Sequence, residues 1–449
     1  MVRTALLAAW CLAAAVCTAD EPLHPIDAIL AETAREHGLA AAPLCSDELF
    51  LRRATLDLIG RIPTLAEQQA FRAAPDREAL IDRLLDSDEF PRHWAEVWTV
   101  QWFGYGANEL ADRDALQQWL EAALRSHRPY DEIVQSLIAA TGESVFSGPV
   151  NFLLRYPDEP VVKVSRAFLG IRLDCARCHD HPFDRWKRDD FERMNRFFDT
   201  MERRALAQGN TQLVDVVRTV EPQDRPRFLS GAEPRTSQWR AEFALFLVKS
   251  RPFARNFGNR LWYHLMGRGV VHPVDDVNRS NPPSVPALWE WLADEALRTR
   301  FDVRSLLRAL CRSQAYQRSS LARRGDEERQ RLFLVRSIKP LTPEVWHASM
   351  SVALRRQSTP AARAAFVQAF YGNALDGDFG SSWEYRETLQ GLMNRLIDRV
   401  DPPATGIDEL FQTFLCRGPT DTERAACADC SPRELTYLLL HAQEFAFNH

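Results

Sequence analysis

The residues of this chain best suited to chemistry are concentrated in Cys175-Ala-Arg-Cys178-His179-Asp180-His181-Pro-Phe-Asp184-Arg-Trp186. Two cysteines separated by two residues and followed at once by histidine have the attachment spacing of a c-type haem, in which both thiols bond the porphyrin and the imidazole ligates iron. The same residues admit two other readings. Cys175, Cys178, His179 and His181 are four donors of the kind zinc takes tetrahedrally, although ligands this crowded along the chain are hard to wrap around one small ion. A disulfide between Cys175 and Cys178, with the histidines hydrogen-bonded to neighbouring aspartates, is the third. Haem c, with Cys175 and Cys178 as thioether links and His179 as proximal ligand, is the preferred reading. Asp180 and Asp184 are then expected as acceptors that orient the imidazoles.

A haem iron has a sixth position, and its occupant would decide the chemistry. The candidates are His181, Met194, His264, Met266 and His272. His181 is too near His179 along the chain to cross to the other face of the ring. Met194 follows on a helix that would pack over the ring edge. His264 and His272 flank Gly267-Arg268-Gly269, and ligation by either would staple two domains through the haem. In that arrangement Arg268, Asp275 and Asp276 are expected beside Arg177, Asp180 and Asp184. The pair Asp275-Asp276 also reads as a calcium or acid/base site, or as a turn. There is no Gly-x-Ser-x-Gly, no phosphate-cradling glycine loop and no His-Glu-x-x-His.

The elements that must position these residues read as helices almost throughout. Helical spacing covers residues 25–37, a helix capped by Ser46, and one opened by a Thr64/Glu67 capping box, then residues 77–85. The next helix carries Trp94, Trp98 and Trp102 on one face. That stripe reads either as core packing or as the wall of a porphyrin pocket. Residues 115–124 and 130–140 continue the pattern, and 142–157 reads as a loop. A helix from Glu159-Pro160, with Val161, Val164, Phe168 and Ile171 inward, is expected to run to Cys175. Another helix spans 189–201. Between residues 205 and 235 the helical period lapses and β-branched residues around 212–220 suggest a short strand or hairpin. Helices resume at Trp239, at 253–266, 286–299, 302–317 and 343–354, and the last spans 432–447.

Length, charge and cysteines bound the class. A chain of 449 residues is long for one core and suggests two or three domains. A net charge of −5 and pI near 6.2 give no basic field for nucleic acid. Residues 1–19 read as a secretory signal, with Arg3, an apolar core and small residues before Asp20; a lipoprotein reading at Cys17 is disfavoured by Val16. The apolar run is too short to span a bilayer, and no later segment qualifies. Export permits disulfides. Setting aside the signal and the CxxCH pair leaves Cys45, Cys311, Cys416, Cys427 and Cys430, an odd set in which Cys427 and Cys430 suggest a local disulfide, with Cys416 as a further partner.

Several stretches carry a family resemblance: Thr55-Leu-Asp57-Leu-Ile-Gly60-Arg-Ile-Pro63-Thr64, residues 175–186, Asn259-Arg260-Leu-Trp262 with Gly267-Arg268-Gly269 and Pro273-Val-Asp275-Asp276, Asn281-Pro-Pro283-Ser284, and the closing Glu444-Phe-Ala-Phe-Asn448-His449. Together they resemble the planctomycete cytochrome-like two-domain proteins over nearly all of the mature chain. The resemblance implies an exported protein whose first domain is termed cytochrome-like for its CxxCH and whose second has no assigned role. Cys45 departs from the pattern.

The expected protein is mainly α, multi-helical and two-domain, with a short irregular or β segment between the domains. Residues 1–19 are the signal, 23–204 a cytochrome-like helical domain, 205–235 the linker and 236–449 a second helical domain. The expected function is that of an exported cytochrome c-like protein, periplasmic or extracellular, acting with a redox partner protein in electron transfer or haem-dependent oxidation. The rival is a non-redox extracytoplasmic binding or scaffold protein, polysaccharide-related, with CxxCHxH as a zinc or disulfide staple.

Overall fold

The computed structural model describes residues 23–106, 108–181, 184–322, 325–357, 359–371 and 401–449; the expected signal at 1–19, with Cys11 and Cys17, lies outside them. Helix makes up 58% of the described residues and strand 5%, so the fold is mainly α, as its apolar periodicity predicts. Among the described residues no helix is long and apolar enough to cross a membrane.

The helix Asp47–Ile59 organises the rest. Ser46 Oγ accepts from the Leu49 amide at 3.3 Å, which satisfies an otherwise orphaned donor. Gly60 ends it with φ 73°; a side chain there would be strained, and its Cβ would lie 2.3 Å from His93 Nδ1. Every residue from Phe50 to Ile59 is buried, Arg52, Arg53 and Asp57 included. A helix buried all round needs partners for those charges. They come from the far end of the chain, as described below.

The tryptophan helix, Glu89–Phe103, settles its two readings. Trp94, Trp98 and Trp102 are 1–3% exposed. Trp98 stacks on Trp102 with centroids 5.3 Å apart, and Trp102 meets Phe168 at 5.4 Å. Each such pair adds about 0.5–1.5 kcal/mol beyond area burial. The stripe is core.

That core extends without interruption from Ile26 through Trp262 to Leu334, across the expected boundary at 205–235. A second cluster joins Leu56 and Ile62 to Leu341, Trp346, Phe414 and Phe445. Within 205–235 the expected strand forms: Thr211–Asp215 pairs antiparallel with Met201–Ala205 and with Gly142–Glu143.

Two expected helices are shorter, 189–201 ending at Asn195 and 302–317 breaking at Ser313, and three further local expectations change. The 142–157 loop contains the helix Val150–Arg155; Val150, Phe152, Leu153 and Leu154 are buried, and burial of so short an apolar run outweighs its weak periodicity. The helix expected to reach Cys175 stops earlier. Pro160–Val164 gives way to a π turn, Ser165–Leu169, closed by Gly170 at φ 70°. The last helix ends at His441; after a single turn, Gln443–Ala446, the chain becomes a strand, Phe447–Asn448, paired with Lys339–Pro340.

Candidate functional site: the CxxCH turn

Cys175 lies on a single 3₁₀ turn, Asp174–Arg177. Leu173 and Ala176 are fully buried and pin the inner edge of the turn, and the Ala176 amide donates to Leu173 O at 3.0 Å. Its outer edge carries Cys175 and Cys178, both exposed and both free thiols. His179 is exposed as well. Its Nδ1 is 2.8 Å from Asp180 O, a contact that engages Nδ1 and not Nε2. Ligating imidazoles are held this way, with the second nitrogen on a carbonyl or carboxylate.

The Asp180 and Asp184 carboxylates, expected to orient the imidazoles, each accept from a backbone amide. Asp180 Oδ1 accepts from the Arg188 amide at 3.0 Å, at the start of the helix Arg188–Asn195. Asp184 Oδ1 accepts from the Arg185 amide at 2.7 Å. Helix starts and turns compete successfully for short acidic side chains. The orienting acceptor for His179 is therefore a backbone oxygen. The His181 amide donates to Trp186 O at 2.8 Å. Among the described residues no three His, Cys, Asp or Glu side chains gather as metal ligands, so Cys175, Cys178, His179 and His181 do not form a ready four-ligand set.

The candidates for a sixth ligand are dispersed. Met194 is fully buried, on the helix that packs against the turn. His272 is exposed and stacks on Tyr263 with centroids 5.8 Å apart. His264 lies 4.6 Å from the Trp94 ring and 5.9 Å from His93, centroid to centroid. Burial, with Lys339 and His93 nearby, pushes its pKa well down.

The second half of the chain does reach the turn, by a different contact. Asp275 Oδ2 accepts from Arg166 Nε at 2.9 Å and Nη2 at 2.7 Å, and Oδ1 from Arg172 Nη2 at 2.9 Å. Asp276 lies 3.8 Å from Arg172. The expected partner Arg177 pairs instead with Glu159. The two aspartates are thus an ionic clamp on arginines.

Sequence reasoning missed a second constellation around Asp57, itself 1% exposed. Its carboxylate accepts from Tyr316 Oη at 2.8 Å, Arg336 Nη2 at 3.0 Å and Asn448 Nδ2 at 2.8 Å, and it ion-pairs with Lys339. Lys339 and Arg336 also donate to the His264 and Leu265 carbonyls. Arg53 Nε donates to His449 O at 2.8 Å, and Arg52 Nη2 to Glu444 O at 2.9 Å. Burial, with Arg336 close by, pushes Arg53 down to about 10. Burial, reinforced by Lys339, pushes His93 down to about 3. A sequence signal was Arg52, Arg53 and Asp57 interrupting the apolar run of the helix.

The expected local disulfide is absent. Cys416 is buried, with its sulfur 3.8 Å from Arg52 Nη1, while Cys427 and Cys430 are free thiols at the edge of the second core.

No curated protein and no solved structure matches this chain. Two family models do. Residues 25–203 match one described as a protein of unknown function (DUF1549), which contains the CxxCH turn, the tryptophan helix and Asp57. Residues 240–368 match a second, also described as a protein of unknown function (DUF1553), which contains Asp275, Tyr316, Arg336 and Lys339. The chain joins two domains of unknown function, DUF1549 followed by DUF1553, and both the Asp275 clamp and the Asp57 centre bridge them.

Proposed function

We propose that this is an exported cytochrome c-like protein that carries one covalent haem at Cys175 and Cys178, with His179 as proximal ligand, and passes electrons to or from a redox partner protein. The observation behind this is the state of the turn: two free, exposed thiols beside an imidazole whose Nδ1 is already engaged by Asp180 O. When bound, haem would supply a one-electron centre. Cys175 and Cys178 would hold it through their two sulfurs. His179 contributes Nε2 as the ligand. The exposed outer edge of the turn leaves the attachment side open to a partner.

A second reading has one observation in its favour. Trp94, Trp98 and Trp102 are spent in the core, so they do not enclose a porphyrin. In that reading the protein is a non-redox extracytoplasmic binding or scaffold protein with CxxCHxH as a zinc or disulfide staple.

The test is co-expression with a haem-attachment system followed by acid-solvent extraction. Haem retained by the wild type and lost from Cys175→Ser/Cys178→Ser supports attachment. Haem extracted equally from both overturns it.

A further inference from the structure

We infer that Asp275 is a positioning residue for the CxxCH turn, so that the DUF1553 segment sets how Cys175, Cys178 and His179 are presented. The functional consequence rests on the attachment reading; the geometry does not.

The chain leading into the turn is gripped from outside its own domain. Asn256 Nδ2 donates to Ala167 O at 2.8 Å, and Arg260 Nη2 to Arg166 O at 2.6 Å. The Val277 amide donates to Gly170 O at 2.8 Å. A Cβ on Gly170 would lie 2.8 Å from Asn256 Oδ1 and 3.0 Å from Val274 O, so the backbone can approach this closely only at a glycine. Asp275 then takes Arg166 from one side of Gly170 and Arg172 from the other. One carboxylate thus fastens both flanks of the break that separates the helix from the attachment turn.

Besides the helix Arg188–Asn195 packed against it, the turn is held by the buried Leu173/Ala176 edge and by the ionic tether through Arg172. The Arg177–Glu159 pair adds little, since both side chains are about half exposed. Removing the Asp275 carboxylate would leave two guanidiniums without their shared anion. The tether would open, leaving the positive charge of Arg166 and Arg172 less compensated on the approach to the turn. With haem bound, the same charge would favour the reduced state and raise the reduction potential.

The experiment compares wild type, Asp275→Ala and Asp275→Glu as reduced full-length apoprotein. Amide exchange over residues 171–181 and the rate of iodoacetamide alkylation at Cys175 and Cys178 are both expected to rise several-fold in Asp275→Ala. Exchange in the tryptophan helix should stay unchanged, and Asp275→Glu should restore most of the wild-type behaviour. That pattern supports the inference even if no haem ever attaches, because neither readout involves haem. Unchanged exchange and alkylation in Asp275→Ala overturn it even if haem attaches normally. Should Asp275→Ala not fold, Arg172→Gln cuts only the arm to the turn. Faster exchange at 171–181 in that variant supports the tether, and unchanged exchange overturns it. In haem-loaded protein a raised reduction potential in Asp275→Ala is the matching result.

Discussion

Arg172 and Asp275 lie 103 positions apart and form an ion pair of 2.9 Å that ties the approach to Cys175 to the DUF1553 segment. Burial opposes ionisation of Asp275, but hydrogen bonds from Arg172 and Arg166 prevail and hold its carboxyl below the usual aspartate value. A lowered folded pKa means the stabilisation is fully present above the unfolded value of about 3.9 and is lost as pH falls through the folded one. The tether is therefore intact at neutral pH.

Asp57→Asn is expected to destabilise the protein by about 3–5 kcal/mol, because it strands Arg336 and Lys339 in a site with little water. Asn448→Ala removes a single donor and should cost about 1–3 kcal/mol. Denaturant unfolding measures both. A loss below about 1 kcal/mol for Asp57→Asn would contradict a dry, interdependent centre.

Stability is expected to fall on acidification well before the carboxylates titrate. Burial, with Lys339, holds His93 at about 3, and burial, with Arg363, holds His347 at about 4. An unfolded histidine takes up its proton at about 6.5. Between those values the unfolded chain binds protons that the folded chain refuses, so stability drops as pH decreases through this window. His93 alone should account for roughly 2–3 kcal/mol between about pH 6.5 and 4.5. His93→Gln should flatten the curve of unfolding free energy against pH, and an identical slope in that variant would refute the assignment.

Much of the helical frame was readable because periodicity and caps are local. The Thr64/Glu67 capping box forms as its spacing implies, and Arg77–Leu85 has the expected bounds. The CxxCH spacing is equally local. What was not readable is pairing across the chain. Nothing near Asp57 announces Asn448, 391 positions away, and Asp275-Asp276 looks like a turn until Arg166 and Arg172 are brought to it. The end of the helix at Gly170 was missed because Val161, Val164, Phe168 and Ile171 keep a helical period across a break that tertiary contacts impose.

Thiol reactivity should divide the cysteines by burial. In reduced apoprotein, Cys175 and Cys178 are expected to react with an aromatic disulfide reagent at once. Cys45, Cys311 and Cys416, at 7%, 0% and 2% exposure, should wait for unfolding. Burial also pushes the Cys311 and Cys416 thiols up, which slows them further. Peptide mapping of the labelled protein assigns the order. Early labelling of Cys311 or Cys416 would contradict the packing described.

The attachment proposal is tested most directly by the pyridine haemochrome spectrum and metal content of full-length protein made with a haem-attachment system. The account predicts a c-type haemochrome with one iron per chain, absent from Cys175→Ser/Cys178→Ser. Stoichiometric zinc with no haemochrome, or neither metal in a folded protein, would contradict it.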